Sequence, residues 1–204
     1  MKISYALTVF NELNEIKRLI SFLLKNKRNE DEIVVLFDDK GPEQVWNYLK
    51  SQEEHIVLHP ANFKNNFADW KNKLGKLCSG DFIFQIDADE IPHEDLIKLL
   101  PTMLEENSNI DMFLVPRVNT VEGITEEHIQ KWGWRVNGDG WVNYPDYQTR
   151  IYRNSPDIKW VGNVHERING TKTFSPLPAD EWWSLYHPKT IERQEKQNNY
   201  YETL

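Results

Sequence analysis

The chain has 204 residues, 39% of them hydrophobic and 27% charged, which fits one soluble domain with a sizeable core. Its formal net charge of −8 argues against general binding to nucleic-acid backbones, which usually takes a basic surface. No apolar run approaches the ~20 residues that a membrane-spanning helix needs, so no membrane span is expected.

The first half of the chain alternates predicted strands with predicted helices. The strands are the apolar runs Ile3 to Val9, Ile33 to Phe37, Ile56 to Leu58 and Phe82 to Asp87. Two helices carry apolar stripes at helical spacing, formed by Ile16, Leu19, Ile20, Leu23 and Leu24 and by Phe67, Trp70, Leu74 and Leu77. Pro42 opens a shorter helix between them. Such alternation predicts an α/β fold with a mostly parallel sheet flanked by helices.

Two features of this half favour a cytoplasmic protein. Met1 to Ser4 leads straight into a strand and does not read as a secretory signal. Cys78 is the single cysteine, so an internal disulfide is excluded and a reducing compartment is expected. Because Cys78 falls on the apolar side of a helix, we expect a buried structural thiol rather than a nucleophile.

The second half has a different character, and the composition changes near Val118. Met112 to Val115 and Gln148 to Arg153 are predicted strands, the latter with one solvent-facing side, and Lys189 to Leu204 is a predicted polar helix. Six tryptophans lie in this part of the chain: Trp132, Trp134, Trp141, Trp160, Trp182 and Trp183. We expect a single domain over residues 1–204, divided into a first half (1–117) and a second half (118–204).

Carboxylates follow three of the predicted parallel strands. Asp87 and Asp89, separated by Ala88, end the buried run Phe82 to Ile86. Two carboxylates one residue apart offer hard oxygen ligands, which suit Mg²⁺ or Mn²⁺ holding a diphosphate. Asp38 with Asp39, and the segment 8–12 that closes with Glu12, lie at the ends of two further strands. Ligands of doubly wound sheets bind outside these ends, so the three positions should share one crevice.

These segments resemble the family 2 glycosyltransferases, which have the GT-A fold. Three of the matching elements are strands followed by polar residues: the first strand with Asn11-Glu12, the second strand with Asp38-Asp39, and the strand between Gly80-Asp81 and Asp87-Ala88-Asp89. The other matching elements are Lys71-Asn72, Gly162 to Glu166, and Leu185-Tyr186-His187. Roughly the whole chain is covered, and the stretch Glu126 to Asn154 is similar to small glycosyltransferases encoded by tailed phages. The resemblance implies a nucleotide-sugar transferase of the hexosyltransferase class, in the host cytoplasm if the protein is phage-encoded.

The resemblance also implies a donor site for a nucleoside diphosphate sugar, most simply a UDP-sugar, in the first half. Asp38 would hydrogen-bond the base, Asp87 would meet the ribose and Asp89 the metal, with Arg150 as a candidate for the diphosphate. Further donor contacts are expected from Thr8, Val9, Phe10, Glu12 and Ala88. Plainer alternatives stand beside these roles: a helix-start charge for Glu12, a solvated turn for Asp38, and an ion pair with a carboxylate for Arg150.

Catalysis is expected to come from the second half, because the first half holds the nucleotide. An inverting transfer needs a base opposite the leaving diphosphate. Glu166 is the first candidate and Asp146 the second, and either His187 or His165 is the expected third metal ligand. Lys71 replaces the usual arginine of the family and is expected on a helix surface. The acceptor is a glycan, a protein or a modified base, and Trp132, Trp134 and Trp141 are candidates for a loop that binds it, whereas Trp160 is expected in the core.

Two other functions remain open at this point. A sugar-phosphate nucleotidyltransferase uses a similar half-fold, but it normally carries a Gly-rich basic loop after the first strand, where this chain has Thr8 to Glu12. A non-catalytic glycan-binding protein on the same frame is the third possibility. The joint presence of Asp87, Asp89, Glu166 and His187 argues against loss of activity.

Overall fold

The structure is a computed structural model that describes residues 1–162 and 166–201. Its strands are β1 (Ile3–Val9), β2 (Glu32–Asp38), β3 (Val57–Ala61), β4 (Phe82–Asp87), β5 (Ile91–Pro92), β6 (Met112–Val115), β7 (Arg117–Glu122), β8 (Gln148–Arg153), β9 (Lys159–Val161), β10 (Arg167–Asn169), β11 (Phe174–Pro176) and β12 (Leu185–Thr190). Its helices are α1 (Leu13–Asn26), α2 (Glu43–Ser51), α3 (Phe67–Gly75), α4 (Glu94–Glu106), α5 (Glu126–Trp132) and α6 (Ile191–Tyr201), with a 3₁₀ turn at Glu181–Trp183.

A seven-stranded sheet in the order β11-β6-β8-β4-β1-β2-β3 forms the centre of the molecule. Strands β1 to β4 pair in parallel, while β8 lies antiparallel between β4 and β6. Apolar side chains cover both faces: Tyr5 and Leu7 pack with α1 and α4, and Ala6 and Val34 pack with α3. Unbroken apolar strands form such a doubly covered sheet because both of their faces lose solvent.

A smaller sheet in the order β5-β12-β7 supports the second half. Strand β12 runs parallel to β7, and their register places His187 beside Asn119. Strands β9 and β10 form a separate antiparallel pair. The side chain of Asn72 on α3 attaches this pair to the main body, since it donates to Trp160 O at 2.8 Å and accepts from Trp160 N at 2.9 Å.

Most of the predicted elements are confirmed, and β1, β4, β6 and β8 have the predicted bounds. Cys78 is buried, and burial raises the pKa of its thiol to about 12, as fits a structural thiol. Trp160 belongs to the core at 5% exposure. In residues 1–162 and 166–201, no helix has the length and apolar character that crossing a membrane requires.

Three predictions about this architecture are wrong. Strand β8 has no solvent-facing side, because it lies inside the large sheet and buries Arg150. Lys71 is not on a helix surface: it is 8% exposed and faces β9. The last helix starts at Ile191 rather than Lys189, since Lys189 still belongs to β12. Helices α4 and α5 were not predicted.

Candidate functional site

The site lies at the carboxyl edge of the large sheet, where β1, β2 and β4 end together. Thr8 pairs with Asp87 and Val9 with Phe37, so the ends of the three strands are level. The sequence predicts this convergence, and the structure brings Asp38, Asp87 and the segment 8–12 to the same edge. Phe10, which follows β1, is 42% exposed and faces outward there.

On the β1–β2 side, main-chain groups hold the carboxylates. Asp38 is 8% exposed, and its Oδ1 accepts the N–H groups of Lys40 and Phe63, both at 3.3 Å. Glu12 Oε2 accepts the N–H groups of Phe10 and Asn11 at 2.9 and 3.0 Å. Glu12 therefore closes the turn between β1 and α1, while Asp38 is fixed with one oxygen engaged.

At the end of β4, Asp87 is paired with a buried arginine. Arg150 Nη2 donates to Asp87 Oδ2 at 2.5 Å and to Glu90 Oε1 at 2.7 Å. Glu90 is fully buried, and its Oε2 accepts the main-chain N–H of Asp87 at 3.2 Å. Burial alone would raise the pKa of the Asp87 carboxyl, but Arg150 and Lys71 lower it by more. Arg150 thus has the carboxylate pairing that the sequence left as an alternative.

A second arginine, Arg117 on β7, connects Glu90 to Asp146. Its Nη1 donates to Glu90 Oε1 at 3.1 Å, and its Nε and Nη2 donate to Asp146 Oδ2 at 2.9 and 2.6 Å. Asp146 also accepts from Asn119 Nδ2 at 2.8 Å and from Gln148 Nε2 at 2.9 Å. Burial raises the pKa of the Asp146 carboxyl, but these three donors bring it below its ordinary value.

Asn119 fixes the orientation of His187 toward Asp89. Because Asn119 gives its NH₂ group to Asp146, its Oδ1 faces His187 Nδ1, at 2.8 Å. An amide oxygen only accepts, so Nδ1 carries the proton. His187 Nε2 then faces Asp89 Oδ2 at 3.3 Å. Nε2 donates to the carboxylate when the ring carries both protons, and in the neutral ring it offers a lone pair that a cation lying between the two groups would take.

Helix α6 reaches the same carboxylate through Arg193. Arg193 Nη2 donates to Asp89 Oδ2 at 3.0 Å, and Nη1 lies 3.5 Å from Glu15 Oε1 on α1. Burial raises the pKa of the Asp89 carboxyl, but His187 and Arg193 lower it by more. One carboxylate is therefore shared between a histidine of β12 and an arginine of α6.

Glu166 lies on the α3 side of the site, where it accepts a short hydrogen bond from Lys71 Nζ. The ammonium of Lys71 also sits 4.3 Å from the ring centroid of Trp160. Lys71 also lowers the pKa of the Asp87 carboxyl, so the same cation acts on both Glu166 and Asp87. His165, the alternative metal ligand, lies outside the described residues.

A polar cleft opens beside His187 on the second sheet. Its volume is about 230 Å³, and its walls include Arg117, Asn119, Trp134, His187 and Lys189. Burial lowers the pKa of the Lys189 ammonium, and the Asp89 carboxylate opposes this shift. Since His187 contacts both Asp89 and the cleft, a molecule in the cleft would lie next to the carboxylate edge.

The predicted metal ligands are brought together in part. Asp89 and His187 face each other, whereas Asp87 is paired with Arg150. Within the described part of the chain, no three His, Cys, Asp or Glu side chains are placed to hold a metal. Mg²⁺ is usually bound through one or two protein ligands, with waters and substrate phosphates completing its shell. The Asp89 carboxylate and the lone pair of His187 Nε2 fit such a site, because a metal-bound imidazole normally donates its other N–H, as Nδ1 does here.

Sequence reasoning missed four residues that hold the site together: Glu90, Arg117, Asn119 and Arg193. Glu90 directly follows the Asp-x-Asp pattern, and this position was the one signal available. The other three act across long distances in the chain, for example Arg193 on Asp89, and no local pattern marks them.

Comparison with known families gives a match over most of the chain. The model of the family described as "Glycosyl transferase family 2" matches residues 4–181. A search of curated proteins gives no match.

Solved structures give matches at low sequence identity. A crystal structure of S. aureus TarS 1-349 with UDP-GlcNAc superposes with a TM-score of 0.64 at 18% identity, over 93% of this chain and 59% of that one. The same protein with UDP gives a TM-score of 0.62 at 17% identity, over 92% and 60%. This chain therefore spans about three fifths of those structures. The likeness confirms the predicted fold class, a GT-A α/β architecture with a mostly parallel central sheet.

Proposed function

We propose that this chain, which belongs to glycosyl transferase family 2, moves a sugar from a UDP-sugar to an acceptor hydroxyl with inversion and with the help of Mn²⁺ or Mg²⁺. Membership identifies the protein as a glycosyltransferase, and the donor, metal and stereochemistry are the proposal. One observation carries it: Asp89, at the carboxyl edge of the sheet, faces His187 Nε2 at 3.3 Å.

The donor base is assigned to the sheet edge at Asp38, where β2 ends beside β1. Its Oδ1 is engaged by Lys40 and Phe63, which fixes the carboxylate and leaves Oδ2 for a ligand. Uracil presents an N3–H donor to such an oxygen, and main-chain groups of residues 8–10 lie at the same edge. The complexes of S. aureus TarS, which has a similar fold, with UDP-GlcNAc and UDP support a sugar donor whose base is uracil.

The metal is assigned to Asp89 and His187, with the donor diphosphate expected as the remaining ligand. When bound, the cation would offset the charge that develops on the departing diphosphate. The residues of this chain prepare that position: Asn119 holds His187 in the tautomer that can bind a metal, and Arg150 keeps Asp87 in place beside it.

Glu166 is favoured over Asp146 as the base. Asp146 accepts hydrogen bonds from Arg117, Asn119 and Gln148, and the pKa of its carboxyl lies below the ordinary value, so it is a weak base that supports its neighbours. Glu166 accepts a hydrogen bond from Lys71, the cation that also lowers the pKa of the Asp87 carboxyl, so Glu166 is linked to the end of β4. The split into a donor half (1–117) and an acceptor half (118–204), and a cytoplasmic location, belong to the same proposal.

The test is donor binding and turnover. Calorimetry should show UDP binding more tightly than GDP or CMP, and UDP-GlcNAc should be consumed slowly with water as acceptor. EDTA should abolish this turnover, Mn²⁺ should restore it, and Asp89→Asn should lose nearly all of it while remaining folded. Full turnover of Asp89→Asn in EDTA would contradict the metal assignment, and tighter binding of GDP or CMP would contradict the uracil assignment.

A further inference from the structure

The cleft beside His187 is built from four separate parts of the second half. Its floor is the face of the small sheet that carries Asn119 and Val121 on β7 and His187 and Lys189 on β12. The loop with Trp134, Val142 and Asn143 forms one wall, and Gln194 of α6 forms another. Its volume of about 230 Å³ lies below the ~300–1,000 Å³ of pockets for drug-sized molecules, so it suits a single ring.

Trp134 gives the cleft an aromatic wall that is already packed in place. Its ring centroid lies 4.6 Å from that of Trp132, which stacks on His128 at 5.2 Å. Its main-chain N–H donates to Ile129 O at 3.0 Å. Because these contacts already hold the indole in place, a ligand would not need to order it. The aliphatic side chains of Val121 and Val142 extend the apolar part of the lining.

Two carboxamides supply opposite hydrogen-bonding groups to the same space. Asn143 Oδ1 accepts the N–H of Arg135 at 2.9 Å, so the amide NH₂ of Asn143 is directed elsewhere. Gln194 Nε2 donates to Asn198 Oδ1 at 2.8 Å, so the carbonyl oxygen of Gln194 is the group left for a ligand. One side chain thus offers a donor and the other an acceptor, which are the two partners that a hydroxyl group uses.

We propose that this cleft is the subsite for a pyranose ring of a saccharide acceptor, with the apolar C–H face of the ring on Trp134 and its hydroxyl groups at Asn143 and Gln194. The inference rests on the proposed function and narrows the acceptor from three classes to one. His187 connects the cleft to Asp89, so a ring in this position presents a hydroxyl group to the donor.

The other acceptor classes fit the cleft less well. A nucleic acid carrying a modified base would bring its phosphate backbone, which calls for a basic surface, whereas the chain has a net charge of −8. Of the cations that line the cleft, the Arg117 guanidinium is paired with Glu90 and Asp146, and the Asp89 and Glu90 carboxylates act on Lys189. A peptide would need an extended groove rather than space for one ring.

The experiment combines direct binding with transfer. Saturation-transfer NMR with a panel of methyl glycopyranosides, in the presence of UDP and Mn²⁺, reports which rings bind. Transfer from UDP-GlcNAc to the same panel gives KM for each. A hydroxymethylated DNA oligonucleotide and a serine- and threonine-rich peptide complete the set of acceptors. The wild type should bind and use at least one pyranoside.

Trp134→Ala should weaken pyranoside binding and raise its KM about tenfold, as expected from removing one sugar-covering aromatic face. Trp134→Phe should recover part of the loss, and Gln194→Ala should raise the same KM. The affinity for UDP should change less than twofold in each variant. Trp182→Ala is the matched control, because this indole is 49% exposed and does not line the cleft.

Three results would overturn the inference: an unchanged pyranoside KM in Trp134→Ala, an equal loss in Trp182→Ala, or wild-type binding to the DNA or peptide and to no pyranoside. Failure of the proposed function looks different, since the wild type would then neither bind UDP nor consume UDP-GlcNAc with water. The NMR measurement without UDP still decides whether the cleft binds a pyranoside in that case.

Discussion

The two sides of the site are held by different kinds of contact. On the side of β1 and β2, main-chain N–H groups from nearby turns hold the carboxylates, as with Glu12 and Asp38. On the side of β7 and β12, side chains hold one another in a chain that runs from Arg117 through Asp146 and Asn119 to His187 and Asp89. A group held by main chain keeps its place when a neighbour is replaced. A group held by side chains depends on each member of the network.

Asp87 joins the two sides. It ends a strand of the first half, yet its partner Arg150 belongs to the second half and also binds Glu90. Since Arg117 contacts Glu90 as well, one buried carboxylate couples both arginines. Substitutions on the networked side should therefore affect stability and metal binding together, while substitutions on the other side should act locally.

The largest effect is expected at Glu166. If Glu166 removes the acceptor proton, Glu166→Gln should reduce the turnover rate by ~10² to 10⁴ while the affinity for UDP stays near normal. Steady-state kinetics and calorimetry measure the two quantities. Asp146→Asn serves as the comparison: it should cost much less turnover, through a loosened Asn119 and His187. A dead Asp146→Asn beside a near-normal Glu166→Gln would reverse the two roles, and activity in both would remove the carboxylate base.

The next effect concerns the buried arginine of β8. Arg150→Met leaves Glu90 with one cationic partner fewer in a fully buried position, so the free energy of unfolding should fall by about 3 kcal/mol. Arg153→Met, on the same strand, is the matched control. The Arg153 guanidinium pairs with Asp111 in a partly exposed position, and its loss should cost about 1 kcal/mol. Urea denaturation measures the free energy of unfolding of both variants. Equal losses of this free energy would show that Arg150 does not link the two sides of the site.

The difference between the two sides also explains what the sequence could and could not predict. The bounds of β1 and the convergence of Asp38 with Asp87 were predictable, because apolar periodicity places strands and parallel strands end at one edge. The place of the Glu12 and Asp38 carboxylates at the site could be predicted from their positions just after strand ends. Family resemblance added His187, which the structure places at Asp89.

The networked side was not predictable from local patterns. The alternation of Gln148 to Arg153 predicts a strand with one solvent-facing side, but β8 is inserted between β4 and β6 and buries Arg150. Lys71 is predicted on a helix surface, because the sequence of α3 carries no pattern that indicates its contacts with β9 and Glu166. Such contacts join residues far apart in the chain, and they depend on the complete topology.

A smaller effect is expected at Arg193, which shares the Asp89 carboxylate with His187. Arg193 and a divalent cation would compete for Asp89 Oδ2, so Arg193→Gln should strengthen Mn²⁺ binding in the absence of nucleotide by about threefold. Arg193→Lys keeps the charge and should bind Mn²⁺ nearly as the wild type does. Calorimetric titration with MnCl₂ measures both variants. Unchanged or weaker Mn²⁺ binding in Arg193→Gln would mean that this arginine does not compete for the carboxylate.

The smallest effect is expected at Glu32, at the opposite edge of the sheet, where one more carboxylate of the first half is held locally. Its oxygens accept from Lys2 Nζ at 2.7 Å, Ser4 Oγ at 2.6 Å and Ser79 N at 2.6 Å. Burial raises the pKa of the carboxyl, but these donors lower it by more, to about 2 from an ordinary value of 4.5. The folded state therefore binds this proton less readily than the unfolded state. The stabilisation is fully present above pH 4.5 and is lost as the pH falls toward 2.

Glu32→Gln should remove this pH dependence without affecting the site. Its free energy of unfolding should lie below that of the wild type by less than about 1 kcal/mol near neutral pH, because the pair with Lys2 is partly exposed. The gap should narrow as the pH falls through 4 toward 2, since the wild type then loses the same contribution. Urea titrations at a series of pH values measure the gap, and UDP affinity should match the wild type throughout. A gap that stays constant with pH, or a loss of UDP binding, would show that Glu32 is not the isolated, locally held carboxylate that its contacts indicate.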